Sequence, residues 1–407
     1  MERATPQRKV AFVTPWYGAA ATGGAETAAR ETAEHLAAAG LPVEALTTCV
    51  PDFRSDWSRN SLTAGAAAEN GVLVRRFPSA RRDRTAFDAA NLKLMAGAAV
   101  TEADERAFLE NNINSPALVD YVAAHRSEYL FIFTPYLYGT TYHGMRACGG
   151  DAFLIPCLHD EGYARLPQIQ AMLTGARRLL MLSEPELRTL EAVTGPRAAA
   201  TVVGQGVESE FSADDAAFRA RSGIIGPFVL YAGRKDAGKN VELLVEFMAR
   251  YRAERDPACG LVLIGGGEPV GAGRDGVRDL GFLPLQDKRD AYAAATVLCQ
   301  PSTHESFSLV VMEAWAVGTP CLVHGGCAVT RDHATRANGG LYFESYAEFA
   351  LCLDLLLARP ELARQLGANG RVFVRQNYAW GPIIRRYREL IDEYWSSREP
   401  VGAAHVG

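Results

Sequence analysis

The chain has 407 residues, 48% of them apolar and 22% charged. At roughly 150 residues per domain this is enough for two cored domains, and it excludes disorder, collagen and coiled coil. The 42 Lys and Arg face 47 Asp and Glu for a net charge of -5, so nothing global draws the protein to nucleic acid or to an anionic membrane.

The eight cysteines form no C-x-x-C pair and have mostly apolar neighbours, which predicts buried thiols in a reducing cytoplasm, not a zinc ribbon or disulfide framework. Met1 to Arg8 is polar and offers no signal-peptide core. The longest aromatic and apolar stretch, 129–138, is too short for a membrane span and contains Pro135. No transmembrane segment is expected. Peripheral membrane contact and the oligomeric state stay open.

In chain order, a strand is predicted at 9–14, a loop at 15–24, then a helix at 25–39 with Ala28, Ala29, Ala33 and Leu36 on one face, stopped by Gly40. Further strands follow at 42–47, 72–77, 129–133, 152–158, 178–182 and 200–203, with helices at 104–125 and 184–193. The second of these helices opens on a Ser183-x-x-Glu186 capping box. After the polar stretch 208–226 the rhythm restarts: strand 228–232, helix 241–251, strand 261–264, helix 289–295, strand 297–300, helix 309–317. A last helix near 380–395 carries Ile383, Ile384, Tyr387, Leu390, Ile391 and Tyr394 at helical spacing and needs a surface to cover.

Alternating apolar runs and amphipathic segments mean parallel sheets covered by helices, an α/β class with two doubly wound, Rossmann-like domains. The boundaries read as 1–205 and 206–379, with about 380–407 returning to the first domain.

Two glycine-rich places invite a dinucleotide reading. Gly271-Ala-Gly273-Arg-Asp-Gly276 is a literal G-x-G-x-x-G, but it sits in a loop past its strand and leads into no long helix, so the fingerprint lacks its context. Gly23-Gly24 opens the first helix, where unhindered amides and the helix dipole suit an anion; a flexible turn is the plain alternative. The most informative segment runs from Pro301 to Pro320. A strand ends at Gln300, a loop carries Glu305, and Glu313 falls on an otherwise apolar helix among Val310, Val311, Met312, Ala314 and Trp315. A carboxylate there costs several kcal/mol unless it is hydrogen-bonded or faces a wet cleft. Two carboxylates so placed suit sugar hydroxyls, and the helix N-terminus between them offers amides to a diphosphate.

The spacing from Glu305 to Glu313 resembles the E-x7-E motif of retaining GT-B glycosyltransferases, in particular glycosyltransferase family 4. The likeness extends over nearly the whole chain: Gly23-Gly24-Ala-Glu26 resembles that family's N-terminal glycine loop, His159-Asp160 its histidine after an N-domain strand, and Gly206-Val-Glu208 its interdomain turn. Gly233-Arg234-x4-Lys239, Leu263-Ile-Gly-Gly-Gly267 and Leu280-Gly-Phe282 resemble its C-domain strands and loops.

The resemblance implies a GT-B fold with the last helix crossing back to the N-domain, and transfer of a sugar from a nucleotide-diphosphate sugar to a hydroxyl acceptor, a glycan or a secondary metabolite. Retention of configuration, no cofactor and no metal are implied with it; the chain has no D-x-D motif. Arg234 and Lys239 would meet the donor diphosphate, and Glu313 the ribose. Glu305 would hold the donor sugar, with Gly233, Ser306, Phe307, Ser308 and Leu309 beside it. His159 would reach that sugar from the N-domain, and Gly23 and Gly24 would border the diphosphate. Arg234, Lys239, Glu305 and His159 are thus the candidate catalytic residues. Tyr136, Tyr138 and Tyr142, after an N-domain strand, are candidate acceptor contacts through their rings. The family pattern has glycines where this chain has Ser306, Ser308 and Asn240.

A pseudoglycosyltransferase of the same fold and a non-catalytic sugar-nucleotide binding subunit stand as alternatives. Nucleotide, sugar, acceptor and linkage are not read from the sequence. The arginines at 75, 76, 81, 82 and 84 are either a grip for a phosphorylated acceptor or solvated charge.

Overall fold

The computed structural model describes residues 8–398 except 22 and 197, so the polar start at 1–7 and the tail at 399–407 lie outside the described residues. Two compact units are present, one running to Gly206 and resuming at Ile383, the other Val207–Pro382.

The first unit holds eight strands: β1 (Lys9–Val13), β2 (Val43–Thr48), β3 (Gly65–Glu69), β4 (Val72–Phe77), β5 (Tyr129–Phe133), β6 (Phe153–Leu154), β7 (Arg178–Met181) and β8 (Ala200–Val202). They lie in the order β3-β4-β2-β1-β5-β6-β7-β8, all parallel except β3, which runs antiparallel to β4. The strand order reverses beside β1, so the loops after β1 and β5 open on the crevice where such sheets take ligands. β5 is an unbroken apolar run, each residue at most 1% exposed, because a parallel sheet is covered on both faces. Helix Gly24–Ala38 buries the expected Ala28, Ala29, Ala33 and Leu36.

The second unit has six parallel strands: β9 (Phe228–Ala232), β10 (Gly260–Ile264), β11 (Val277–Asp279), β12 (Val297–Gln300), β13 (Cys321–His324) and β14 (Gly340–Phe343). Their order is β11-β10-β9-β12-β13-β14, with the reversal between β9 and β12. Both units therefore have the Rossmann-like, doubly wound form read from the pattern.

Some expectations are corrected. The helix at 104–125 is two, Glu102–Glu110 and Pro116–Ala124. Pro116 has no amide to continue a helix and sits in the first turn of the second one, which Ser115 caps through Leu118 N. The strand at 152–158 is only β6, since Pro156 cannot pair and Cys157 turns the chain with φ +53°. Positions 318–379, left unassigned from sequence, hold β13, β14 and helices Ala328–Ala337, Tyr346–Ala358 and Pro360–Asn377.

The last helix, Trp380–Ser396, belongs to the first unit from Ile383 onward and buries Ile383, Tyr387, Leu390, Ile391 and Tyr394 there. Arg178 holds it with a two-pronged contact to Glu393 at 2.9 and 2.7 Å. Among the described residues no helix is long and apolar enough to cross a membrane.

Candidate functional site

In the second unit the reversal point sets the loop after β9 beside the loop after β12. The β9 loop turns sharply: Gly233 has φ +143° and its amide donates to Ile264 O at 3.0 Å. The glycine run after β10 packs directly on it, so that a Cβ at Gly265, itself at φ +120°, would stand 2.0 Å from Gly233 O. Only glycine allows that approach. Buried Lys235 anchors the same loop through Asp279, Nζ to the two carboxylate oxygens at 2.6 and 2.9 Å.

This scaffold brings Lys239 to Glu305 across 66 residues of chain, Nζ to Oε1 at 2.7 Å. The Glu305 side chain is 9% exposed and that of Lys239 23%, so the pair is largely desolvated and worth more than a surface contact. Gln300, the last residue of β12, donates to the same Oε1 at 3.1 Å and to Ser308 Oγ at 3.4 Å. Arg234 stands half exposed, its nearest carboxylate Asp236 at 3.6 Å. One cation is thus seated against an acid and the other faces solvent, both at the carboxyl ends of β9 and β12.

Glu313 lies on helix Leu309–Val317 with both oxygens engaged, Oε1 by Lys288 Nζ and Oε2 by Tyr292 Oη, each at 2.7 Å. These contacts answer the cost of a carboxylate on an apolar helix. The Tyr292 hydroxyl stays protonated, burial first and Glu313 second pushing its titration well above the usual range. Ser308 is the N-cap of this helix at φ +68°, and Asn240 the N-cap of helix Val241–Glu254 at φ +56°. Both hold the left-handed conformation that glycine adopts freely. Phe307 turns its ring inward against His333 and Tyr378, and Ser308 is buried beside it with its Oγ taken by Gln300.

Residues 216–373 match the family model of glycosyl transferases group 1. A D-inositol 3-phosphate glycosyltransferase of Gordonia bronchialis is 32% identical over 44% of this chain and 43% of its own length. The enzyme of the same name from Frankia alni is 27% identical over 92% of this chain and 96% of its own. The chain covers less than half the length of several of the curated relatives it matches. Among solved structures, sucrose-phosphate synthase from Thermosynechococcus elongatus superposes with a TM-score of 0.73, covering 96% of this chain and 100% of that one at 20% identity. The fold is GT-B.

The match spans Arg234, Lys239, Glu305 and Glu313 but not the first unit. There, Gly23 is the N-cap of helix Gly24–Ala38, and a Cβ on it would fall 2.0 Å from Glu26 Oε2. The Glu26 carboxylate itself leans over the helix N-terminus that the sequence offers to an anion, a neighbour the glycine pattern does not reveal.

His159 follows β6 with Nδ1 3.7 Å from Glu161 Oε1. Tyr136 is fully buried and donates to the same Glu161 oxygen at 2.8 Å. Its ring therefore has no face for a sugar, which corrects its reading as an acceptor contact. Tyr138 packs edge-on against Trp16 at 4.7 Å and near Trp57 at 6.1 Å, and Tyr142 donates to Gln168 at 3.3 Å. The arginine run divides: Arg75 pairs with Glu44, Arg76 with Glu69, and Arg82 stacks over Trp57 at 4.5 Å.

Sequence reasoning missed Lys288, Tyr292 and Gln300. The first two lie i, i+4 apart on helix Leu285–Ala294, whereas the helix predicted at 289–295 starts one residue past Lys288, and nothing local links it to Glu313.

Proposed function

We propose that this protein is a glycosyltransferase of the family 4 type, moving a sugar from a nucleoside-diphosphate sugar to a hydroxyl acceptor with retention of anomeric configuration. The observation that carries the reading is the Lys239–Glu305 pair at the strand reversal, with Arg234 beside it in sequence and Glu313 on the next helix, inside the segment matching glycosyl transferases group 1. An ammonium with three protons keeps its bond to Glu305 while offering others to a diphosphate, and the exposed guanidinium of Arg234 is open to a two-pronged phosphate contact.

As the glycosidic bond breaks, negative charge collects on the departing diphosphate, and two fixed cations stabilise that change more than they stabilise the bound donor. They supply the charge that a metal ion would otherwise bring, so the reaction is proposed to need none. Glu313, prealigned by Lys288 and Tyr292, accepts from ribose hydroxyls. Glu305 accepts from the donor sugar, beside the amides of 306–309. His159 serves the donor sugar, and Tyr138 and Tyr142 the acceptor, from the first unit.

Cytoplasmic placement is proposed on the eight cysteines, all free thiols. The relatives named for an inositol phosphate acceptor support a polyhydroxyl acceptor class.

The test is a thermal-shift screen with UDP, GDP, ADP and dTDP and their glucose conjugates, with and without magnesium, followed by product analysis. A ligand at a hundred times its Kd raises stability by about 2.7 kcal/mol. One nucleotide should shift the wild type in the absence of metal and fail to shift Glu313→Ala. No shift with any nucleotide would overturn the donor-site assignment.

A further inference from the structure

The first unit holds a carboxyl group that the proposed reaction does not use. Glu186 is 1% exposed, at the third position of helix Glu184–Thr194. A glutamate there ordinarily turns back to the N-cap amide and closes a capping box. Elsewhere in this chain the box is closed in that way, by Thr101 with Asp104 and by Ser345 with Glu348. Ser183 does its half, accepting from Glu186 N at 3.2 Å, while the Glu186 carboxylate, for which the Ser183 amide is the weakest of its backbone donors, reaches past the cap. Its Oε2 accepts from Leu182 N at 2.5 Å and its Oε1 from Leu158 N at 2.6 Å.

These two amides follow neighbouring parallel strands, Leu182 directly after β7 and Leu158 in the loop that leaves β6. The chain leaves β6 through Pro156 and the left-handed Cys157, which removes Leu158 from the sheet ladder, and the carboxylate takes the amide that the ladder gives up. The next residue is His159. On its other side, the histidine lies near Glu161, which Tyr136 holds.

We propose that Glu186 is a positioning residue for His159, its buried carboxylate tying the ends of β6 and β7 together and fixing the peptide from which the histidine projects. The proposal rests on the reading of His159 as a residue that serves the donor sugar. A carboxylate is an expensive way to cap a helix inside a protein, since burial drives the carboxyl up to about 7 against the opposing pull of the Leu182 and Leu158 amides and of His159. A glutamine would satisfy one amide and set its own NH2 against the other. Two amides from two strand ends need two acceptor oxygens on one rigid group, and Glu186 supplies them.

The experiment uses the full chain with selectively labelled histidine, in Glu186→Gln and, as control, Ser183→Ala, which removes the helix cap but leaves the carboxylate. The His159 ring signals are assigned by their loss in His159→Ala. They should move in Glu186→Gln and stay in Ser183→Ala; signals unmoved in Glu186→Gln, or moved equally in both, would overturn the proposal. This readout needs no turnover, so it stands apart from any failure of the glycosyltransferase reading. Where Glu186→Gln does not fold, Glu186→Asp keeps the acid but shortens its reach, and the same shift is expected.

Turnover of UDP-, GDP-, ADP- and dTDP-glucose supplies the second arm. Glu186→Gln should lower kcat by about tenfold or more, as a displacement of reacting groups does, with the Kd of the free nucleotide within twofold of wild type. In the His159→Ala background the same change should add nothing. Independent, multiplying losses would mean that Glu186 acts elsewhere.

Discussion

Lys239→Ala separates what the lysine does for the fold from what it does for the donor. The Glu305 side chain is 9% exposed and has two partners, Lys239 at 2.7 Å and Gln300 at 3.1 Å. Removing the lysine leaves a desolvated carboxylate with one neutral donor. Stripping the partner from a fully buried pair costs about 3–5 kcal/mol. The opening of this site, with Lys239 23% exposed, brings the expected loss to about 1–2 kcal/mol. For a unit of this size that is a fall in melting temperature of about 3–6 °C.

The effect on turnover should be larger. On the proposed mechanism the lysine stabilises charge that appears as the bond breaks, and loss of one such donor lowers kcat by about 100- to 1000-fold. The two effects part company in the double variant. Adding Glu305→Gln removes the orphaned charge, so stability returns towards wild type while turnover stays lost. The assays are a thermal melt and donor turnover on the wild type, both singles and the double. If Glu305→Gln leaves the melting temperature of Lys239→Ala unchanged, the pair carries no strain of the kind described. If Lys239→Ala turns over donor within threefold of wild type, the lysine does not face the leaving group.

Tyr292→Phe removes the hydroxyl that holds Glu313 Oε2 at 2.7 Å, and nucleotide binding by titration calorimetry should weaken about fivefold, for about 1 kcal/mol of lost alignment. Ser308→Gly should raise stability by about 0.5–1 kcal/mol, because a left-handed serine costs about 1–2 kcal/mol and glycine gives part of the gain back in the unfolded chain; a denaturant midpoint below wild type would refute this. Gly265→Ala forces a Cβ to 2.0 Å from Gly233 O and should cost more than about 3 kcal/mol, read as insoluble or unfolded protein.

His333 is fully buried beside Phe307, and desolvation first, with Arg336 adding, pushes its imidazole down to about 3. Between that value and about 6.5 the unfolded chain binds a proton that the folded one refuses, so this group lowers stability as pH falls, by about 1.4 kcal/mol per unit. The melting temperature of wild type should therefore drop more between pH 7 and 5 than that of His333→Phe.

The legible part of this molecule is what periodicity and local chemistry encode. β4 and β5 stand where their apolar runs predict, and helix Gly24–Ala38 buries the face read from its alanines. What stayed hidden depends on which strand ends become neighbours. Lys239 and Glu305 meet only because β9 and β12 flank the reversal, and Lys288 and Tyr292 reach Glu313 only because helix Leu285–Ala294 packs beside helix Leu309–Val317. No local spacing records such a meeting. The same holds for Tyr136, whose ring looks available after a strand until Glu161, 25 residues on, is seen to take its hydroxyl.

The departures from the family's glycines were legible as letters but not as consequences. Asn240 and Ser308 stand in the left-handed region that glycine adopts freely, at φ +56° and +68°. Asn240 uses its side chain to donate to Pro301 O at 3.2 Å, tying the lysine loop to the glutamate loop. Ser308 accepts from Gln300 at 3.4 Å, the same amide that donates to Glu305. Each replacement adds a bond between the two loops that carry Lys239 and Glu305, or steadies the group that holds one of them. A glycine pair would leave those loops joined by the Lys239–Glu305 contact and by Ser302, whose Oγ donates to Gly238 O at 3.5 Å. The strain accepted at Ser308 therefore stiffens the site before any donor arrives, and Ser308→Gly should gain stability while loosening Glu305, which donor turnover reads as a higher KM at unchanged nucleotide affinity.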